Sequence, residues 1–572
     1  MYRKLAIVGL TLSLLVSACD GKGDGVIYIA KNIITMDPMT PQAEAVYLFD
    51  GKVNQLGSLE QLATAHPSAS IDTTFAGQTL IPGLIDPHVH MILGAMIYSR
   101  PFVPPWDMET PNGVVKGLPS KTALLERLKE LDQELEPGEP LIAYGYHNLI
   151  QGDIVRQDLD SVSTTRPILV WHYSAHDFYL NTEALKWAEI DPSLHQRYEG
   201  IALDQNGELT GRVYEDATQH LFTKLSFHIL TPTNIGKGFS GFEAMLAKAG
   251  VTSVAELGYG LFNKTLEDTY YLLEYTKADP YHLYLVPEHR AFKKKHGELA
   301  AQEVKSLAKK MANAGDPQVL PQVKFFTDAA FYSQTMRLEQ PGYIAGQSKG
   351  TLGLWVTKSD ALVDAIEPYW KLGLDARIHS NGDAAQTATL DAMTQIRASH
   401  PNPDQRFVIE HAGLLTPNHL QRIAKLKGGI SAASHYVYLM GDDYRESIGE
   451  RVQYMTPLAS ASKLSIPVTL HSDAPLAPPY PMQAASVHMT RETRRGNRST
   501  PSEALSAYQA LKSVTLDAAW AMGLEDSIGS ISVGKRANFT VLDKNPLDSD
   551  AKDWPSIKIW GVVLDGDKRP LN

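Results

Sequence analysis

The chain has one cysteine, Cys19, in 572 residues. A single thiol excludes any intrachain disulfide. Positive charge is never concentrated: 53 Lys and Arg stand against 64 Asp and Glu, a net charge of −11. The densest basic cluster, Arg491, Arg494, Arg495 and Arg498, is expected to be a solvated helix face or loop. Nucleic acid is therefore not an expected partner. After the first twenty residues no apolar run is long enough to span a bilayer. Solenoid and propeller periods are also absent. What is present is ordinary for a globular protein, 43% hydrophobic and 20% charged. The length allows several domains, but α/β barrels often run long as one.

The N-terminus carries a targeting pattern. Arg3-Lys4 precedes an apolar run from Leu5 to Val16, then Ser17-Ala18 and Cys19. These are the charged, apolar and small-residue regions of a secretory signal. Val16-Ser17-Ala18-Cys19 resembles a bacterial lipobox, in which the cysteine is lipidated. Residues 1–19 are expected to be a lipoprotein signal, and Asp20–Gly25 a flexible tether. That reading places the protein in the cell envelope on the extracytoplasmic side, held to membrane through lipid on Cys19.

Short strand patterns with turn residues occupy residues 26–36 and 44–56, with a turn at Asp50-Gly51. The C-terminal stretches Ile528–Leu542 and Ile557–Leu564 read the same way. Between them, apolar strands alternate with helical stretches, which indicates a parallel sheet or barrel. Leu80–His90, Val251–Leu257, Tyr281–Pro287, Val323–Asp328, Ala376–His379, Phe407–His411, Gly429–Ser434 and Pro467–Asp473 make eight strands. Leu141–His147 and Pro167–His172 exceed that count. They are assigned to an insertion over about residues 110–240, whose aromatic residues suit a lid or a substrate wall.

Chemistry concentrates at the strand ends. In Leu80-Ile81-Pro82-Gly83-Leu84-Ile85-Asp86-Pro87-His88-Val89-His90 the two histidines share one face of an extended chain. Two imidazoles so placed can hold one metal ion. Later strands carry Lys324, His379, His411 and Asp473. In a parallel barrel such residues at successive C-terminal strand ends converge.

The Pro-Gly-Leu-Ile-Asp-Pro-His-Val-His run and the order His-x-His, Lys, His, His, Asp resemble the amidohydrolase superfamily with a binuclear metal centre. His379-Ser380-Asn381-Gly382-Asp383, Ile409-Glu410-His411-Ala412 and His471-Ser472-Asp473-Ala474-Pro475 resemble its amidohydrolase-3, YtcJ-like branch. So do the runs Ser174–Leu185 and Gly207–Glu215. The resemblance implies a (β/α)8 barrel over residues 80–520. It also implies a small β-sandwich built from both chain ends, residues 20–79 and 521–572. His88, His90, Lys324, His379, His411 and Asp473 are the implied ligands of one or two divalent ions, with zinc the expected metal.

An unmodified ammonium cannot coordinate a cation, so the resemblance implies that Lys324 is carbamylated. The alternative is an unmodified Lys324 paired with Asp328 or Glu215. The implied activity is hydrolysis of a non-peptide carbon–nitrogen bond in a small molecule, such as an N-acyl or N-formyl amine. Asp473 would be the general acid/base, and a second metal, or a neighbouring catalytic histidine such as His176, would polarise the carbonyl. Asp383 and Glu410 would orient His379 and His411. An esterase or lactonase on the same site, or a non-catalytic envelope binding lipoprotein, are the alternatives. A homodimer is compatible with the pattern.

Overall fold

The computed structural model describes residues 24–571 except 263, 275–280, 313, 314 and 316. The signal, lipobox and Cys19 lie outside the described residues.

Two parallel sheets with helices between their strands form the centre of an α/β fold; besides the strands expected from sequence they include the two-residue Gln318–Val319, parallel to His282–Pro287. Leu84–Val89, Val251–Tyr259 and His282–Pro287 pair in one parallel sheet. Gln322–Phe326, Asp375–Ser380, Phe407–His411, Gly429–Ala433 and Val468–His471 pair in register in a second. Parallel bridges Glu288↔Lys324 and Val89↔Ala474 join the two sheets at both edges. Nearly every residue of these strands is buried, as expected of parallel strands covered on both faces. The intervening helices begin where the sequence offers caps. Thr416 accepts the His419 N–H, and Pro417 fills the first turn of Pro417–Lys425.

Both chain ends build one mixed sheet. Its path runs Asp567–Pro570, Ile559–Leu564, Phe539–Leu542, Thr79–Pro82, Val26–Ile34, Gln42–Phe49, Lys52–Gly57. Two expectations change here. The run Leu80–His90 is two strands, not one. Thr79–Pro82 pairs with Phe539–Leu542 in the end sheet, and Leu84–Val89 pairs with Val251–Tyr259 in the centre. Gly83 is the joint, and a Cβ there would lie 2.1 Å from Thr252 Oγ1. Only glycine lets the chain pass that close. Of Ile528–Leu542, only Phe539–Leu542 is strand. Gly529 and Gly534 take φ of +88° and +90°, which breaks an extended ladder.

The basic cluster is a solvated loop only in part, with Arg495 and Arg498 exposed. Arg491 is buried and donates to the carbonyls of Ser499, Thr456 and Met455. Arg494 and Arg495 both bind Asp443.

A separate five-stranded sheet contains Leu141–Tyr146, Ile168–His172, Asp177–Leu180, Ile201–Leu203 and Leu209–Tyr214. The two supernumerary apolar runs are neighbours in this sheet and take no place in the central ones. Among the described residues no helix is long and apolar enough to cross a membrane.

Candidate metal centre

His88 occupies the middle of the site. Its Nδ1 lies 2.8 Å from Glu410 Oε2. Its Nε2 lies 3.4 Å from Lys324 Nζ and 3.5 Å from Asp473 Oδ1. His90, just beyond the strand end, turns Nδ1 to Glu256 Oε1 at 3.1 Å and Nε2 to Asp473 Oδ1 at 3.3 Å. The two rings stand nearly perpendicular, 5.1 Å apart. The strand period thus puts both on one side, as their spacing requires.

Asp473 reaches this point because Val89↔Ala474 pairs the last strand with the first, and Asp473 N–H donates to the His88 carbonyl at 3.1 Å. Its other oxygen lies 3.6 Å from His411 Nδ1. His411 and Asp473 both take left-handed backbone, φ +69° and +57°. For non-glycine residues that conformation is uncommon and concentrates at functional sites.

Two sets of donor atoms converge within 4.8 Å: His88, His411 and His471, and His88, His90 and Asp473. His88 belongs to both. His471 was not among the residues nominated from sequence. Its Nε2 lies 3.3 Å from His411 Nδ1, and its Nδ1 is held by Ser431 Oγ at 2.7 Å. His379 belongs to neither set, although its ring stands 4.3 Å from that of His411. Its Nε2 is near Ala329 O at 3.2 Å and Asn381 Nδ2 at 3.1 Å.

The supporting carboxylates differ from the expected ones. Glu410 follows His88, not its own neighbour His411, and forms an ion pair with buried Arg377 at 2.5 Å. Asp383 caps the Glu339 N–H at 2.8 Å and pairs with Arg451. The carboxylate near His379 is Asp328, at 3.7 Å. Glu256 was also missed; it takes the Met91 N–H at 2.6 Å and the Tyr271 hydroxyl at 3.1 Å besides His90. All three are cross-strand relations, which a linear reading of neighbours does not reveal.

Lys324 sits inside its strand rather than at its end, fully buried. It pairs with neither Asp328 nor Glu215, and among the described residues no carboxylate lies within ion-pair distance. Its ammonium faces the Phe326 ring at 5.0 Å. Burial lowers its pKa to about 8, against the opposing pull of Glu410 and Asp473.

Charge is divided sharply among these groups. Burial and neighbouring positive charge push His88, His379 and His411 well below the usual imidazole range. They are neutral, with lone pairs available, the form that binds metal. Burial works against protonation of His90 too, but Asp473 and Glu256 outweigh it and raise it to about 9. Burial likewise opposes ionisation of Asp473, yet its hydrogen bond with His90 and the charges around it hold it at about 2.

The donors open onto a cavity of about 770 Å³. His90, Lys324, His379, His411 and Asp473 form its floor. The insertion supplies a wall containing Trp171, His176, Tyr214, Glu215 and Phe222, and the loop after Gln322–Phe326 supplies Phe331, Tyr332 and Trp355. His176 binds Glu215 through Nδ1 at 3.1 Å.

The amidohydrolase family profile matches residues 75–568. The chain belongs to the amidohydrolase family. It is an enzyme of the hydrolase class. An N-substituted formamide deformylase from Arthrobacter pascens is 24% identical over 94% of this chain and 97% of its own. A Bacillus subtilis protein named as an amidohydrolase, YtcJ, is 25% identical over 93% and 97%. The structure of a metal-dependent hydrolase from Pyrococcus horikoshii superposes with a TM-score of 0.68 at 22% identity, covering 92% of this chain and 99% of that one. The fold is TIM-barrel-like, and the relatives place this chain near the amidohydrolase-3 branch.

Proposed function

We propose that the protein is a metal-dependent amidohydrolase that cleaves a non-peptide carbon–nitrogen bond in a small, partly aromatic amide. The observation carrying this reading is the meeting of neutral imidazoles and an ionised Asp473 at the floor of a deep cavity. The N-formyl class is favoured by the likeness to a formamide deformylase.

The donor set fits a divalent ion. His88, His90 and Asp473 form one candidate set, and His411 with His471 extends it around His88. His379 and Lys324 complete the floor, and imidazole donors favour zinc. A divalent ion held here supplies a Lewis acid and brings the pKa of water toward neutrality. Asp473 accepts the proton of the attacking water and returns it to the leaving nitrogen. Glu410 and Glu256 hold His88 and His90 in orientation. His176 polarises the carbonyl from the opposite wall. Lys324, buried with no carboxylate within ion-pair distance among the described residues, suits carbamylation, which would replace an ammonium by a carbamate among the donors.

The two parallel sheets are read as one (β/α)8 barrel over residues 80–520, and the end sheet as a sandwich rolled around the cluster of Tyr28, Val46, Phe75, Leu80 and Phe539. Residues 110–240 are the inserted wall. Anchorage to an envelope membrane through lipid on Cys19 belongs to the same reading; labelling with a palmitate analogue, abolished by Cys19→Ser, tests it.

The decisive experiment is a hydrolysis screen of N-formyl and N-acyl amines, esters and lactones with metal-loaded and metal-stripped protein. Metal-dependent amide cleavage is expected. Turnover confined to esters or lactones, or none by protein of full metal content, would overturn the assignment.

A further inference from the structure

His176 and Glu215 extend a strand ladder beyond its last pair. Asp177 faces Tyr214 in the antiparallel pairing of Asp177–Leu180 with Leu209–Tyr214. One step further, Glu215 N–H donates to the His176 carbonyl at 3.0 Å. The chain bends sharply there. Ala175 has φ +62° and Glu215 φ +49°, left-handed values that non-glycine residues hold only when their surroundings impose them. The ion pair of buried Asp177 with Arg212 fixes the same strand end.

Both oxygens of Glu215 are engaged. Oε2 meets His176 Nδ1, and Oε1 accepts from Thr335 Oγ1 at 3.3 Å. Thr335 belongs to the loop after the lysine strand, and its Oγ1 also accepts the Ala330 N–H at 3.1 Å. Glu215 therefore ties the insertion to the loop that walls the catalytic floor. Among the described residues no hydrogen bond reaches His176 Nε2, and the ring lines the cavity shared with Asp473 and Lys324.

We propose that Glu215 is a positioning residue that turns His176 Nε2–H into the cavity toward the scissile carbonyl oxygen, with Thr335 setting the register between insertion and floor. The proposal rests on the hydrolytic reading above. With Nδ1–H held by Glu215, Nε2 carries a proton to donate only in the imidazolium, the form the Glu215 carboxylate favours against the opposing effect of burial. A donor aligned before the reaction stabilises the developing oxyanion without rearrangement.

Four variants test this: Glu215→Gln, Glu215→Asp, His176→Ala and the Glu215→Gln/His176→Ala double. Glu215→Gln is expected to lower kcat on the order of 10–100-fold, with KM and metal content little changed. Glu215→Asp should restore part of the loss. In the His176→Ala background, Glu215→Gln should add no more than about a twofold effect. Unchanged kcat in Glu215→Gln, or an equal loss in both backgrounds, would overturn the proposal. Nitrogen NMR of the His176 ring, assigned by its loss in His176→Ala, gives a readout without turnover. Glu215→Gln should change the Nδ1 signal. An unchanged ring spectrum refutes the positioning role even if no amide substrate is found, whereas a changed spectrum without amide turnover would fault the hydrolytic reading alone.

Discussion

The floor and the wall of the cavity are built on opposite principles. The floor takes its donors from the central parallel strands and the turns beside them, and three of the rings are braced by a partner from another strand: Glu410 on His88, Glu256 on His90, Ser431 on His471. The wall takes His176 and Glu215 from a sharp turn in a separate sheet, joined to the floor's loop by Thr335. Strand ends give precision, and a turn on an inserted sheet gives a surface that can vary without disturbing the donors. The contrast also separates two kinds of histidine. His88 is neutral and His90 protonated in the metal-free protein, two residues apart, because only His90 faces two carboxylates without a neighbouring ammonium.

Removing the central floor donor should have the largest effect. His88→Ala deletes the one residue common to both donor sets. Metal content measured by plasma emission should fall, and metal-dependent turnover should drop on the order of a thousandfold or more. A variant that kept its metal would show that the floor is less interdependent than its contacts indicate. Asp473→Asn should separate metal from rate. A loss on the order of 10²–10⁴-fold in kcat is expected from a lost proton-transfer group, with metal content falling less. Near-wild-type turnover would remove Asp473 from the acid/base role.

A pH series should distinguish the two histidines of the floor. Because His90 is raised from 6.5 to about 9 in the metal-free protein, its contribution to stability is complete below about 6.5 and is lost as pH rises through 9. Asp473, lowered to about 2, contributes fully above its ordinary value near 3.8 and loses that contribution as pH falls toward 2. Zinc binding at pH 7 must then displace a proton from His90. Calorimetric heats should vary with the ionisation enthalpy of the buffer; heats independent of buffer would mean His90 is already neutral. The smallest effect belongs to the wall. Phe222→Ala should raise KM for an aromatic amide by about 5- to 30-fold, the value of roughly 1–2 kcal/mol of apolar contact, while leaving metal content untouched. Equal losses for small and aromatic formamides would show that the wall does not select substrate.

Much of the central strand order was legible because apolar runs punctuated by Gly, Pro and Asn mark parallel strands whatever their partners. The facing of His88 and His90 followed from the strand period alone. What sequence concealed were relations across the sheet. Glu410 looked like a companion of His411 because the two are adjacent, but across the sheet Glu410 meets His88 while His411 Nδ1 meets His471. His471 was overshadowed by Asp473 in the same short run. The break at Gly83 was hidden because an apolar run gives no sign of changing sheets. The N–H of Gly83 goes to Asn538 and that of Leu84 to the Thr540 hydroxyl, partners far along the chain.

That joint at Gly83 carries a consequence for the order of events during synthesis. Leu84 and Thr540 are separated by 456 residues, and Thr79–Pro82 waits for the strand that contains Thr540. At about 5–20 residues per second, translation leaves the early segment without that neighbour for roughly half a minute or more. His88 lies a few residues past the waiting strand, so the centre of the donor set is anchored on one side by a strand synthesised some 456 residues after Leu84. A nascent chain stalled before Phe539 would hold all the site's imidazoles and still lack the edge that pairs with the strand before the first of them.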